Sequence, residues 1–166
     1  MNNLYVLCGI PGCGKSTWVQ KKMAENGPAG VGSQKWAYVS RDEVRFSIIK
    51  EEDDYFAKEK QVFQEFVSRI CSNLGDAWND NVIADATHLN EFSRDKLINA
   101  IHRQRPNLSF NIVMVYFDVP LEVCKFRNSK RSGRALVPEH IMNKMYSQLE
   151  FPKLRRGLKS VEIVRD

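Results

Sequence analysis

At 166 residues the chain suits a single domain, residues 1–166, long enough to bury a core. Its 43% hydrophobic and 27% charged residues exclude a disordered or fibrous protein, and no apolar run is long enough to span a membrane. The net charge of +5 favours polyanionic partners only mildly, and the N-terminus enters its first strand without a signal peptide's basic and apolar regions, which points to the cytoplasm.

Leu4-Tyr5-Val6-Leu7-Cys8 reads as a short buried strand and Ser16 to Glu25 as a helix. Between them, Gly9-Ile10-Pro11-Gly12-Cys13-Gly14-Lys15-Ser16 matches G-x-x-x-x-G-K-[ST] in the strand–loop–helix setting that this pattern requires. The glycines let successive backbone N–H groups turn inward toward phosphate oxygens, and the helix adds its positive end. Lys15 supplies a point charge for the outer phosphates, and the Ser16 hydroxyl suits a magnesium ion bridging them.

Asn26 to Gln34, glycine-rich and containing Pro28, reads as a surface loop. Trp36 to Val39 is a second strand. Ser40-Arg41-Asp42-Glu43 has the S-x-x-E spacing of a capping box, so a helix starts there, with Asp42 and Arg45 on one face of its first turn. Glu51 to Asp54 reads as an acidic, solvated connection. From Tyr55 to Leu74, Phe63, Phe66, Val67, Ile70 and Leu74 recur at helical spacing and belong to the core.

Val82 to Asp85 is a third strand ending in a carboxylate, and Asn90 caps a helix carrying Leu97, Ile98 and Ile101, closed near Pro106. Phe110 to Phe117 is the clearest strand, too apolar for a half-exposed sheet. Asp118-Val119-Pro120 leads into a helix from Leu121 to about Arg127. A basic connection, Asn128 to Leu136, separates it from a helix behind Pro138 in which Val137, Ile141, Met145 and Leu149 form the apolar stripe. Val161 to Val164 is the last strand.

Alternating strands and helices imply an α/β fold, a parallel sheet with helices on both faces, and a ligand at the carboxyl ends of the strands. The phosphate loop, Asp42 and Asp85 lie at three such ends. Asp85 has the character of a metal-holding carboxylate, and Asp42 can accept the proton of an attacking hydroxyl. An acid in a first helical turn is also favourable for structure alone, so spacing leaves both readings of Asp42 open. Arg45 can bind a phosphate bidentately or be a solvated helix arginine. Lys125, Arg127, Lys130, Arg131 and Arg134 fall within ten residues that contain no acid, as in a basic lid over a nucleotide.

Cys8, Cys13, Cys71 and Cys124 form no C-x-x-C pair, so disulfides are not expected. Cys13 reads either as a thiol activated by the helix end or as a plain small residue. His88, His102 and His140 are too scattered for a metal site.

The phosphate loop followed by Thr17-Trp18, then Ser40-Arg41-Asp42-Glu43-Val44-Arg45, Phe117-Asp118-Val119-Pro120, Arg127-Asn128-Ser129-Lys130-Arg131 and Val137-Pro138 resemble, in order, the kinase domain of bacteriophage polynucleotide 5′-hydroxyl kinases. The resemblance implies a five-stranded P-loop fold of nucleotide-kinase type that uses ATP and Mg2+ to phosphorylate the 5′-hydroxyl ends of DNA or RNA. Gly9, Gly12, Cys13, Gly14, Lys15, Ser16 and Thr17 would then hold the ATP phosphates, with Ser16 and Asp85 on the metal. Asp42 would be the general base, Arg45 would grip the acceptor's phosphate, and Arg127 and Arg131 would contact the donor phosphates. The phosphatase motif D-x-D-G-T of those enzymes is absent, so only kinase activity is expected. The stretch Asp85-Ala86-Thr87-His88-Leu89-Asn90 is one residue longer than the family's, which leaves open whether Thr87 or His88 lines the site.

Three rivals stand beside this reading. A P-loop kinase of a small acceptor (a nucleoside, nucleotide sugar or antibiotic) uses the same chemistry. A guanine-reading switch fails because Tyr146 follows Asn143-Lys144-Met145 where N-K-x-D is needed, and a motor because Ala86 stands where a glutamate is usual. A nucleic-acid binder that holds ATP without turnover leaves Asp42 and Asp85 without a purpose.

Overall fold

The computed structural model describes residues 1–26 and 34–166. The connection read over 26–34 therefore lies mostly outside the described residues. Five strands, β1 (Asn2–Cys8), β2 (Trp36–Ser40), β3 (Asn81–Asp85), β4 (Phe110–Phe117) and β5 (Leu158–Val164), pair in parallel in the order β2-β3-β1-β4-β5. Helices α1 (Lys15–Met23), α2 (Arg41–Ile48), α3 (Glu59–Leu74), α4 (Glu91–Gln104), α5 (Leu121–Ser129) and α6 (Glu139–Gln148) connect them, with a short 3-10 turn at Gly133–Ala135.

Side chains of a strand alternate between faces, and both faces here are apolar. Leu4, Val6 and Cys8 of β1 join Val82, Ala84 and Met114 in a core covered by Phe66, Ile70, Leu97 and Ile101 from α3 and α4. Leu7, Ile83, Val113 and Val115 face the other way, onto Trp18 and Val19 of α1, Cys124 of α5 and Met142 of α6. The α6 stripe differs from expectation. Its fully buried residue is Met142, while Ile141, Met145 and Leu149 are only half-buried. The helix starts at Glu139 and has ended before Leu149, so a single turn meets the core.

Two helix starts repay comparison. Ser40 accepts from the Glu43 N–H at 3.2 Å, which is half of the expected box; the reciprocal bond is not made, and Glu43 is exposed. The complete box falls on Asn90, whose side chain accepts from the Ser93 N–H while the Ser93 hydroxyl meets the Asn90 N–H. An N-cap of this kind contributes about 1 kcal/mol. In the same helix Arg94 is fully buried. It donates to the carbonyls of His88, Leu89 and Glu150 and pairs with Glu91, tying the β3–α4 loop to the segment that leads into β5.

Candidate active site

The parallel register sets Ser40 beside Asp85, so the first turn of α2 and the end of β3 meet at the sheet end that carries the phosphate loop. In that loop Gly12 and Gly14 have φ of +83° and +102°, values only glycine adopts readily. A Cβ on Gly12 would lie 2.5 Å from the Cys124 carbonyl, so the loop is also pressed against α5. Among the described residues, no backbone carbonyl takes the N–H groups of Gly12, Gly14, Lys15 or Ser16. That is the donor row an anion needs. Ser16 and Thr17 are exposed beside it.

Lys15 curls over the loop, its Nζ donating to the carbonyls of Gly9 at 2.7 Å and Ile10 at 3.2 Å. Arg127 reaches the loop from α5, with one nitrogen on the Gly12 carbonyl at 3.2 Å and another on Asp166 at 2.6 Å. Cys13 is buried, and burial pushes its thiol up, so it is a packing residue rather than an activated nucleophile. All four cysteines are free and buried.

Asp85 accepts from the Tyr38 hydroxyl at 2.5 Å. Burial raises its carboxyl above the usual range; Lys15 and the Tyr38 bond pull it back, and the charge of Asp42 raises it further. Asp42 itself is open, with its side chain 63% exposed. Its partner Arg45 is 4% exposed, which rules out the solvated arginine. One Arg45 nitrogen bonds Asp42 and the Tyr55 hydroxyl, and the other meets both oxygens of Glu59 at 2.8 and 3.0 Å. Glu59 also pairs with Arg41 at 2.6 Å.

The β3–α4 loop places His88 in the core. His88 is buried with φ +39°, its Nδ1 2.8 Å from the Leu7 carbonyl, and burial pushes its pKa down to about 3. It is a neutral core residue. The Thr87 carbonyl accepts from the Gly9 N–H at 2.9 Å, so this loop braces the entry to the phosphate loop through backbone.

The basic segment is not free of acids in three dimensions. Lys125 pairs with Glu122 and Glu139, which flank the ten-residue window. Arg134 donates to the carbonyls of Lys50 at 2.9 Å and Glu51 at 2.5 Å, and lies 5.8 Å from the Phe46 ring centroid. Arg131 is exposed and has no side-chain partner among the described residues.

Among the described residues no three His, Cys, Asp or Glu gather around one point. Ser16 and Asp85 offer hard oxygen donors, which suits magnesium, an ion that keeps several waters and takes one or two carboxylates beside phosphate oxygens. Sequence reasoning missed Tyr38, Tyr55, Glu59 and Asp166, none of which lies in a motif.

A phosphate loop on a parallel sheet of this order, with charged residues from the next two strand ends beside it, defines a P-loop nucleotide-binding domain with a kinase-type fold. The chain belongs to the AAA_33 family, described as an AAA domain, which matches residues 4–152. Among solved structures it is similar to a fungal RNA kinase at 15% identity and a TM-score of 0.65, covering 98% of this chain and 73% of that one. It is also similar to Chaetomium thermophilum Kti12 in complex with ADP-AlF3 (15% identity, TM-score 0.66, 98% and 88% covered). A sugar kinase from Janibacter sp. HTCC2649 matches at 19% identity and a TM-score of 0.58, with 99% and 86% covered. These likenesses are of fold. No helix among the described residues is long and apolar enough to cross a membrane.

Proposed function

We propose that the protein is an ATP-dependent polynucleotide kinase that transfers the γ-phosphate to a 5′-hydroxyl of DNA or RNA. The observation that carries this reading is the open Asp42 carboxylate, held by buried Arg45 at the same sheet end as the phosphate loop and Asp85. Asp42 takes the proton of the attacking hydroxyl as the oxygen bonds to the γ-phosphorus, and the bond from that phosphorus to the bridging oxygen breaks. Lys15, the loop N–H groups, Arg127 and Arg131 neutralise charge on the donor's phosphates. Gly9, Cys13 and Thr17 complete the loop that holds them. A magnesium ion, when bound, supplies further charge neutralisation, and Ser16 and Asp85 would hold it directly or through water.

A polynucleotide acceptor carries a phosphate beside its reacting nucleotide. Arg45 lies next to the proposed base as a grip on that phosphate requires, with Glu59 as the resident anion to be shared or replaced. The likeness to an RNA kinase supports the same acceptor class. One observation favours the second reading, a small acceptor such as a sugar or nucleoside: Glu59 already meets Arg45 with both carboxylate oxygens.

The test is transfer of label from γ-labelled ATP to 5′-hydroxyl DNA and RNA oligonucleotides, beside 5′-phosphorylated controls and a panel of nucleosides and sugars. Labelling confined to 5′-hydroxyl oligonucleotides is expected. Labelling of a small molecule alone replaces the acceptor and keeps the kinase.

A further inference from the structure

A carboxylate that receives a proton from an attacking hydroxyl must present one oxygen to it and hold that pose. Asp42 stands on an open helical turn, so packing does not hold it. Hydrogen bonds do. Arg45 Nη1 and the Tyr55 hydroxyl both donate to Oδ1, the tyrosine at 2.6 Å. Among the described residues Oδ2 has no partner.

The third side of this triangle orients the tyrosine. Arg45 Nη1 donates to the Tyr55 oxygen at 2.7 Å, so an oxygen lone pair is engaged and the hydroxyl hydrogen is directed at Asp42. The Arg45 guanidinium lies 4.2 Å from the Tyr55 ring centroid, and Phe46 and Phe56 contact the ring edge to face, with centroids 6.1 and 4.7 Å away. Burial, followed by the bond to Asp42, pushes the phenol well above its ordinary range, so Tyr55 stays a donor at any pH where a kinase is assayed. Tyr55 comes from the α2–α3 connection, thirteen residues beyond Asp42, which is why no motif contains it.

We infer that Tyr55 is a positioning residue for Asp42: with Arg45 it fixes Oδ1, so that Oδ2 receives the proton of the acceptor hydroxyl. This rests on the reading of Asp42 as general base. In the step, the acceptor O–H bond breaks and its proton joins Oδ2. The freed electron pair forms the bond to the γ-phosphorus, and the bridging oxygen leaves with the pair of the broken P–O bond on ADP. The class of acceptor does not alter the argument.

The test is a double-mutant cycle on the full chain, with Tyr55→Phe, Asp42→Asn and both together. Single-turnover rates, KM for ATP and thermal stability are measured with whichever acceptor the wild type labels. Tyr55→Phe keeps the ring and its aromatic contacts and removes only the hydroxyl. It is expected to lower the rate about tenfold, the scale of one hydrogen bond to a charged group, with KM for ATP unchanged and the protein still folded at the assay temperature. In the Asp42→Asn background the same change is expected to cost nothing further. An unchanged rate in Tyr55→Phe, or an equal fold loss in both backgrounds, overturns the inference while leaving Asp42 as the base. Wild-type turnover in Asp42→Asn alone overturns the general-base reading, and the inference with it.

Discussion

The Tyr38 hydroxyl donates to Asp85 Oδ2 across 2.5 Å, although Tyr38 lies opposite Ile83 in the register, two residues before that aspartate. The side chain thus leans along the sheet toward the phosphate loop. Burial and the neighbouring carboxylate push the Tyr38 phenol far up, so it remains a donor. It orients a carboxylate that we propose holds magnesium, and partners of that kind carry about 10–100-fold in metal affinity or activity. Tyr38→Phe should raise the magnesium concentration for half-maximal activity about tenfold. A magnesium titration of the rate checks this, and an unshifted midpoint removes Asp85 from the metal.

Asp85 should cost the fold stability while it serves the site. Burial raises its carboxyl above the unfolded value, so ionising it costs more in the folded chain than in the unfolded one. The cost is fully present above the folded pKa and disappears below the unfolded pKa of about 3.9. Asp85→Asn keeps an acceptor for Tyr38 and removes the charge. It should raise Tm at neutral pH, with the gain vanishing toward about pH 3–4, while phosphoryl transfer is lost. Melting curves across pH decide it.

Asp42→Asn should lower the transfer rate by about 10²–10⁴, the usual contribution of a general base. Asp42 does not belong to the phosphate loop, so ATP affinity measured by calorimetry should stay within about twofold of wild type. A loss confined to ATP affinity contradicts the assignment.

Arg131→Ala separates a lid arginine from surface charge. The side chain is exposed and unpartnered among the described residues, so stability should change by no more than about 0.5 kcal/mol. The rate should nevertheless fall by about 10³ or more if it serves as an arginine finger in cis. An unaltered rate assigns the segment to the surface.

The strands, the helices and the phosphate loop were legible because each is a local pattern, and Asp42 and Asp85 were legible because they sit at strand ends. What the chain hides is contact across sequence distance. Spacing leaves Arg45 open between a phosphate grip and a solvated helix arginine until Glu59, one helix later, folds back over it. Tyr38 reads as an ordinary strand residue and Tyr55 as the first residue of the helical segment 55–74, although α3 begins only at Glu59; their hydroxyls act 47 and 13 residues away. The window 125–134 contains no acid, but Lys125 at its edge pairs with Glu122 and Glu139, which stand just outside it. Arg94 was silent because its partners are mostly carbonyls, which every residue owns.

Arg134 clasps two carbonyls of the α2–α3 connection, the stretch that a few residues later delivers Tyr55 to Asp42. Any displacement of segment 130–136 toward the phosphate loop must either release that clasp or drag the connection along. On the proposed reading, this contact joins the segment next to the nucleotide to the connection that carries Tyr55. Where such a joint couples two binding events, the coupling runs equally in both directions: a nucleotide that reorders the basic segment alters acceptor affinity by the same factor that the acceptor alters its own.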